Sequence, residues 1–196
     1  MSRWAPDARE RLEAAALDLF VKNGYEETTV AQIADRAGLN RATFFRHFAD
    51  KREVLFGGED VLAGLFGDAV RAAPPGATLT ECLRAALTAA EVAMTPQRRA
   101  KALQRVQVVA ANAEAQERGL LKYARISASI SDALRARGAD DLTARLGAEV
   151  GMLAFRIALE RWMASENEDF ARHAAAALNE VQECAARLDS LPQSPP

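Results

Sequence analysis

Arg36, Arg41, Arg46, Lys51 and Arg52 lie close together along the chain, opposed within positions 36 to 52 only by Asp50, in a protein whose net charge is −2. Side chains of this kind neutralise phosphates and reach the acceptor edges of bases, so the chemistry they offer is nucleic-acid recognition rather than bond making. A generally basic protein binds nucleic acid anywhere, whereas one positive surface on a mildly acidic body favours a selective contact. Catalysis has less to work with. His47 and His173 are the only histidines, and the chain has no glycine-rich phosphate loop, assembled nucleophile or metal-ligand spacing. Cys82 and Cys184 stand apart without a CxxC pattern and read as ordinary buried thiols. No catalytic residue, metal site or cofactor is expected, and an enzyme acting on a small molecule is the competing class.

The elements that must position these cations are marked by local signals. Thr29 and Gln32 have capping-box spacing, in which hydroxyl and amide each satisfy an otherwise orphaned backbone N–H. Ile33, Ala34 and Ala37 then share one helical face, and Gly38 supplies the left-handed conformation that ends the helix. Leu39 fills the gap before the next helix, which Asn40 caps. In that helix Phe44 and Phe48 are four residues apart and share the buried side, while Ala42, Thr43, Phe45, Arg46 and His47 face away. Asp50 and Glu53 give a second capping-box-like start around Lys51. Two short helices joined by a glycine turn, the second bearing polar and aromatic residues, have the layout of a helix-turn-helix DNA reader.

This stretch resembles the DNA-binding domain of the TetR family of transcriptional regulators, over residues 7 to 56. The resemblance implies a supporting first helix, Pro6 to Asn23, with Leu12, Ala15, Ala16, Leu19 and Phe20 as its core stripe, closed by Gly24 and Tyr25. It further implies that Arg41 and Thr43 approach base edges or phosphates, with Ala42 beside them, and that Thr29, His47 and Lys51 contact the DNA backbone. Phe45 stands where the family usually has tyrosine, which leaves apolar contact, for example with a thymine methyl, in place of a phenolic hydrogen bond. The remainder resembles, without a short motif, TetR regulators with an acyl-coenzyme-A-like ligand domain, including members linked to mycofactocin systems.

An alanine-rich composition almost without strand signals predicts an all-α fold of about nine helices, and 196 residues at 49% hydrophobic content suffice for a substantial core. The domains expected are a DNA-binding domain at 1–56, a ligand-binding and dimerisation domain at 57–190, and a tail at 191–196. One helix is expected from Lys51 to about Ala72, another from Thr78 to Met94, and a third from Pro96 to about Val109 or Ala111. Asn112 caps a long helix ending at Gly138, Asp140 or Asp141 opens the next, and Ser165 with Glu168 caps the last, to about Leu188. Residues 1–5 are expected to fray, with Arg3 a candidate basic arm.

In the last helix Phe170, Ala174, Ala177, Val181, Cys184 and Leu188 recur at heptad spacing. With Phe155 and Trp162 of the preceding helix they are expected to form a homodimer interface. The middle of the chain is where the family resemblance implies a pocket for a small-molecule effector. Gln104, Val108 and Asn112, with Phe155 and Leu159, are candidate lining residues, and ordinary core packing is the other reading. Arg98, Lys101 and Arg105 share a helical face, either a solvated charged surface or a hold on a phosphate-bearing ligand. The partners expected are a double-stranded DNA operator, the effector and a second copy of the chain. A partner protein in place of the effector is the alternative. No leader or spanning segment is read, so a cytoplasmic location and no membrane contact are expected.

Overall fold

The computed structural model describes residues 7–56, 59–165 and 169–188, and all regular structure among them is helical. In chain order the helices are α1 (Ala8–Asn23), α2 (Val30–Arg36), α3 (Arg41–His47), α4 (Lys51–Phe56), α5 (Glu59–Ala72) and α6 (Leu79–Ala89). A 3-10 turn (Ala90–Ala93) follows, then α7 (Pro96–Ala110), α8 (Ala113–Ala136), α9 (Asp141–Ala164) and α10 (Phe170–Ala186). The expectation of about nine counts Lys51–Ala72 as one helix. The join at residues 57 and 58 lies outside the described residues, as do the Arg3 arm, Glu168 and the tail.

Most boundaries fall at side-chain caps, several of them the expected ones, although the first helix, expected from Pro6, is opened by Asp7. Asp7 accepts from the Glu10 amide and opens α1, Thr78 with Glu81 forms a complete capping box before α6, and Asp140 accepts from the Thr143 amide. Two others differ. The helix expected to reach Met94 tightens to 3-10 form from Ala90. Ser165 closes α9, its hydroxyl donating to the Trp162 carbonyl, and Asp169 stands at the start of α10.

The chain divides into two compact units, one formed by the residues up to Glu59 together with Pro96–Lys122, the other by Asp60–Thr95 and the residues from Tyr123 onward. The expected division after residue 56 follows the functions assigned to the segments, whereas packing groups α7 and the start of α8 with the amino-terminal helices. The reason is apolar. Val108 and Ala115 are buried in the same cluster as Leu12, Leu17, Ile33, Phe44, Phe48 and Leu55.

In the second unit α6, α9 and α10 pack on one another. Phe155 lies edge-on to Phe66 at 5.2 Å and to Phe170 at 5.8 Å, and Trp162 meets Phe170 at 6.2 Å, so the unit's core is a chain of aromatic rings. Gly147 brings α9 close to its neighbours, since a Cβ there would stand 2.8 Å from Leu79 Cδ1 and 3.1 Å from Leu134 Cδ1. The heptad seam is consumed by this packing. Phe155, Trp162, Phe170, Ala174, Ala177 and Val181 are all buried within the unit, which corrects their assignment to a surface for a second subunit. Cys184 and Leu188, at the seam's far end, are exposed, so Cys184 is not the buried thiol expected.

Candidate nucleic-acid interface

The reading helix is built as its local signals dictate. Thr29 and Gln32 complete their capping box at the start of α2, Gly38 turns the chain at φ 66°, and the Asn40 side chain accepts from the Thr43 amide to start α3. A residue with a Cβ would be doubly unfavourable at Gly38, strained by the positive φ and only 3.0 Å from Arg11 Nη2. Arg11 itself donates to the carbonyls of Ala37 and Gly38, fastening the turn to α1. Beneath α3, the tilted rings of Phe44 and Phe48 meet at 5.5 Å in the core.

Seven residues give α3 barely two turns, and its outward face holds Arg41, Ala42, Phe45 and Arg46, all exposed. Phe45 keeps half its surface in solvent while its ring edge meets Phe44 at 5.5 Å, a costly exposure for a large aromatic unless something covers it. Thr43, expected on this face, is buried. Its hydroxyl accepts from Arg46 Nη2 at 3.4 Å, which leaves it orienting Arg46. Arg46 belongs to the same exposed face as Arg41, and the i, i+4, i+5 pattern from Arg41 is the signal that picks it out. His47 is half-buried at the end of the helix.

The cations divide into held and available groups. Arg36 is paired with Asp18, and Arg52 bridges Asp50 and Glu114, both at surface exposure. Lys51 is more fully engaged, donating to the carbonyls of Tyr25 at 2.9 Å, Glu26 at 3.2 Å and Thr28 at 3.5 Å, with its ammonium 4.4 Å from the centre of the Tyr25 ring. In this structure Lys51, the expected phosphate contact, clamps the α1–α2 connection, because three carbonyls converge where the ammonium's three donors lie. Burial, helped by Glu114 and Asp50, pushes the Tyr25 phenol up to about 12, so the ring under Lys51 stays neutral. Among the described residues Arg41 makes no ion pair, and it stands at the solvent-facing start of α3. Thr29 is exposed, its hydroxyl engaged with Gln32.

The candidate effector residues are distributed over the two units. Val108 is in the amino-terminal core, Asn112 accepts from the Ala115 amide and donates to Glu26, and Gln104 is half-buried on α7. Phe155 is core and Leu159 half-buried in the second unit. Asn112 and Val108 therefore have capping and packing roles that account for their side chains. Among the described residues no group of three or more histidine, cysteine or acidic side chains is placed to hold a metal ion, and no helix is long and apolar enough to cross a membrane.

A short, exposed, cation-bearing helix set on a glycine turn and braced by α1 defines a helix-turn-helix protein. Residues 12–56 match the family model described as bacterial regulatory proteins, tetR family. The transcriptional regulator TcmR of Streptomyces glaucescens is 38% identical over 81 residues, 41% of this chain and 36% of its own length. SrpR of Pseudomonas putida is 43% identical over 51 residues, covering 26% and 24%. The chain thus spans about a quarter to a third of these curated relatives. Among solved structures, the TetR-family repressor FadR of Thermus thermophilus, in complex with lauroyl-CoA, is similar over 96% of this chain and 97% of its own, at 25% identity and a TM-score of 0.52. Residues 12–56 thus carry the helix-turn-helix domain that matches the tetR family of bacterial regulatory proteins, and the remainder resembles solved TetR-family regulators in fold.

Proposed function

We propose that the protein is a homodimeric repressor that holds a palindromic operator and is released from it by a small apolar or acyl-type ligand. The observation that carries the reading is the outward face of α3, where Arg41, Phe45 and Arg46 stand exposed together on a helix fixed at both ends. Arginine forks match the acceptor pair on guanine, and an exposed aromatic suits a thymine methyl. One such helix touches only a few base pairs, so two related by a dyad would combine their affinities on successive major grooves.

The second copy would cover the outward side of α9. Leu142, Leu146 and Leu153 are 76%, 62% and 39% exposed there and share one helical face, while Cys184 and Leu188 offer apolar surface at the end of α10. The acyl-type ligand is supported by the lauroyl-CoA complex of the Thermus repressor. Ligand entry would alter the separation of the two readers. A coupling of about 1 to 3 kcal/mol would weaken operator binding roughly 5- to 150-fold.

Replacing Arg41 with alanine is expected to change sequence preference at one or two operator positions, at about 1 to 3 kcal/mol of discrimination. Competition between single-base operator variants reads this directly, and uniform weakening across all variants would place Arg41 on phosphate instead. For release, operator affinity is measured with and without saturating lauroyl-CoA once calorimetry has shown that it binds. Unchanged affinity with bound lauroyl-CoA rejects that effector chemistry.

A further inference from the structure

Phe45 is half exposed on the outward face of α3, and its neighbours narrow what could cover it. Arg41 stands one helical turn before it and Arg46 directly after it, both exposed, and Ala42 completes the face. An apolar protein surface laid over Phe45 would strip water from both guanidinium groups without pairing them. A polyanion instead offers phosphates and base acceptors to the cations and leaves the centre of the face to the ring. The ring is also held in a fixed attitude. Its edge meets Phe44 at 5.5 Å with the planes at 84°, and Phe44 is itself fully buried against Phe48.

A phenyl ring has neither a hydrogen-bond donor nor a polar acceptor, so it bonds neither a phosphate oxygen nor a polar base edge. The major groove offers one apolar group, the ring methyl of thymine, and the minor groove offers none. Cytosine carries an amine where thymine carries a carbonyl, and Phe45 bonds to neither. A methyl at the same ring carbon of cytosine therefore presents Phe45 with the same apolar surface as thymine does.

We propose that Phe45 is a specificity-determining residue that reads the thymine methyl and nothing else of the base. The protein then distinguishes thymine from uracil, and it binds cytosine at that position more tightly when the ring is methylated. This rests on the proposal that α3 reads DNA and names one contact within it. Covering one methyl group is worth about three- to fivefold in affinity, by the same factor on either base. Arg41 and Phe45 are separated by about 6 Å along the helix axis, so the methyl lies within about two or three base pairs of the position that Arg41 reads.

The test uses the full chain and an operator recovered by selection from random duplex DNA. Each thymine is replaced in turn by deoxyuridine, which lacks only the methyl. At a sensitive position the pair is then changed to cytosine with guanine, with and without the cytosine methyl. The parent is expected to lose roughly three- to fivefold at one thymine of each half-site, and to gain the same factor there when cytosine is methylated. Phe45→Ala, its melting checked against the parent's, is expected to bind the thymine and deoxyuridine duplexes alike while keeping its preference at the Arg41 position. A selected operator in which no thymine methyl matters would overturn the contact and leave DNA reading by α3 intact. So would a cytosine methyl without effect where the thymine methyl counts. A methyl effect that survives in Phe45→Ala would place the contact on another side chain of the face, Ala42 first, and overturn the assignment to Phe45. If the parent enriches no sequence, the reading by α3 fails and this contact falls with it.

Discussion

Phe44→Ala is expected to lower stability by about 3 to 5 kcal/mol, whereas Phe45→Ala, one residue along, is expected to change it by less than about 1 kcal/mol. Phe44 is fully buried against Phe48 and within the cluster that joins α1, α3 and α4, so truncation leaves a cavity whose walls are themselves packed. Phe45 touches the protein by one ring edge and leaves half its surface in solvent. Set against total stabilities of about 5 to 15 kcal/mol, the Phe44 loss would take roughly 10 °C from the melting temperature. DNA binding should show the reverse ranking once folded protein is compared at equal concentration, because Phe45 lies on the outward face. Calorimetric melting and operator titration of the two variants check this. A stable Phe44→Ala with an unstable Phe45→Ala would mean that α3 is rotated about its axis relative to the structure.

The second large effect concerns Lys51. Lys51→Ala is expected to remove about 1.5 to 3 kcal/mol of stability, since an ammonium held by the Tyr25, Glu26 and Thr28 carbonyls and resting over the Tyr25 ring is lost at once. Operator affinity should fall through misplacement of α2 and α3, with the slope of log affinity against log salt unchanged. Lys51 as a phosphate ligand would give the opposite signature, normal melting with a slope smaller by about one charge. Measuring both quantities on the same preparations separates the roles.

The contrast between Phe44 and Lys51 also shows what local sequence encodes. The box of Thr29 and Gln32, the Gly38 turn and the Asn40 cap are interactions within four residues, so residue type and spacing specify them, and the structure forms each one. Phe44 and Phe48 were legible as core because their spacing agrees with the helical period. Thr43 was not, since in a two-turn helix a small polar residue at the edge of the apolar stripe faces either way, and the Arg46 contact that turns it inward is not written in its neighbours. The Lys51 clamp is not legible in the sequence for a related reason. The helix start announces a cation, but the carbonyls it clamps lie more than twenty residues earlier and converge only in the folded unit.

Longer-range packing shows the same divide. The heptad seam of α10 correctly signals a helix that packs along its length, yet period alone does not say whether the neighbour belongs to the same chain. Here α9 supplies it, and Phe170, Ala174, Ala177 and Val181 are buried without a second subunit. Leu142 and Leu146 are not distinguished in the sequence because α9 is apolar on several faces, and only the fold separates the filled side from the open one, where Leu153 joins them. Arg105 reads as part of a charged surface with Arg98 and Lys101, whereas on α7, which packs against α1, it is half-buried with its Nε enclosed.

Selection of operators from random duplex DNA at a fixed, stated salt concentration, with the bound complex sized by light scattering, tests the central claim most directly. The account predicts enrichment of a palindrome whose half-sites are spaced for successive major grooves and which is held by an integral number of dimers. Failure to enrich any sequence, with folded protein from which small molecules have been removed, would contradict it.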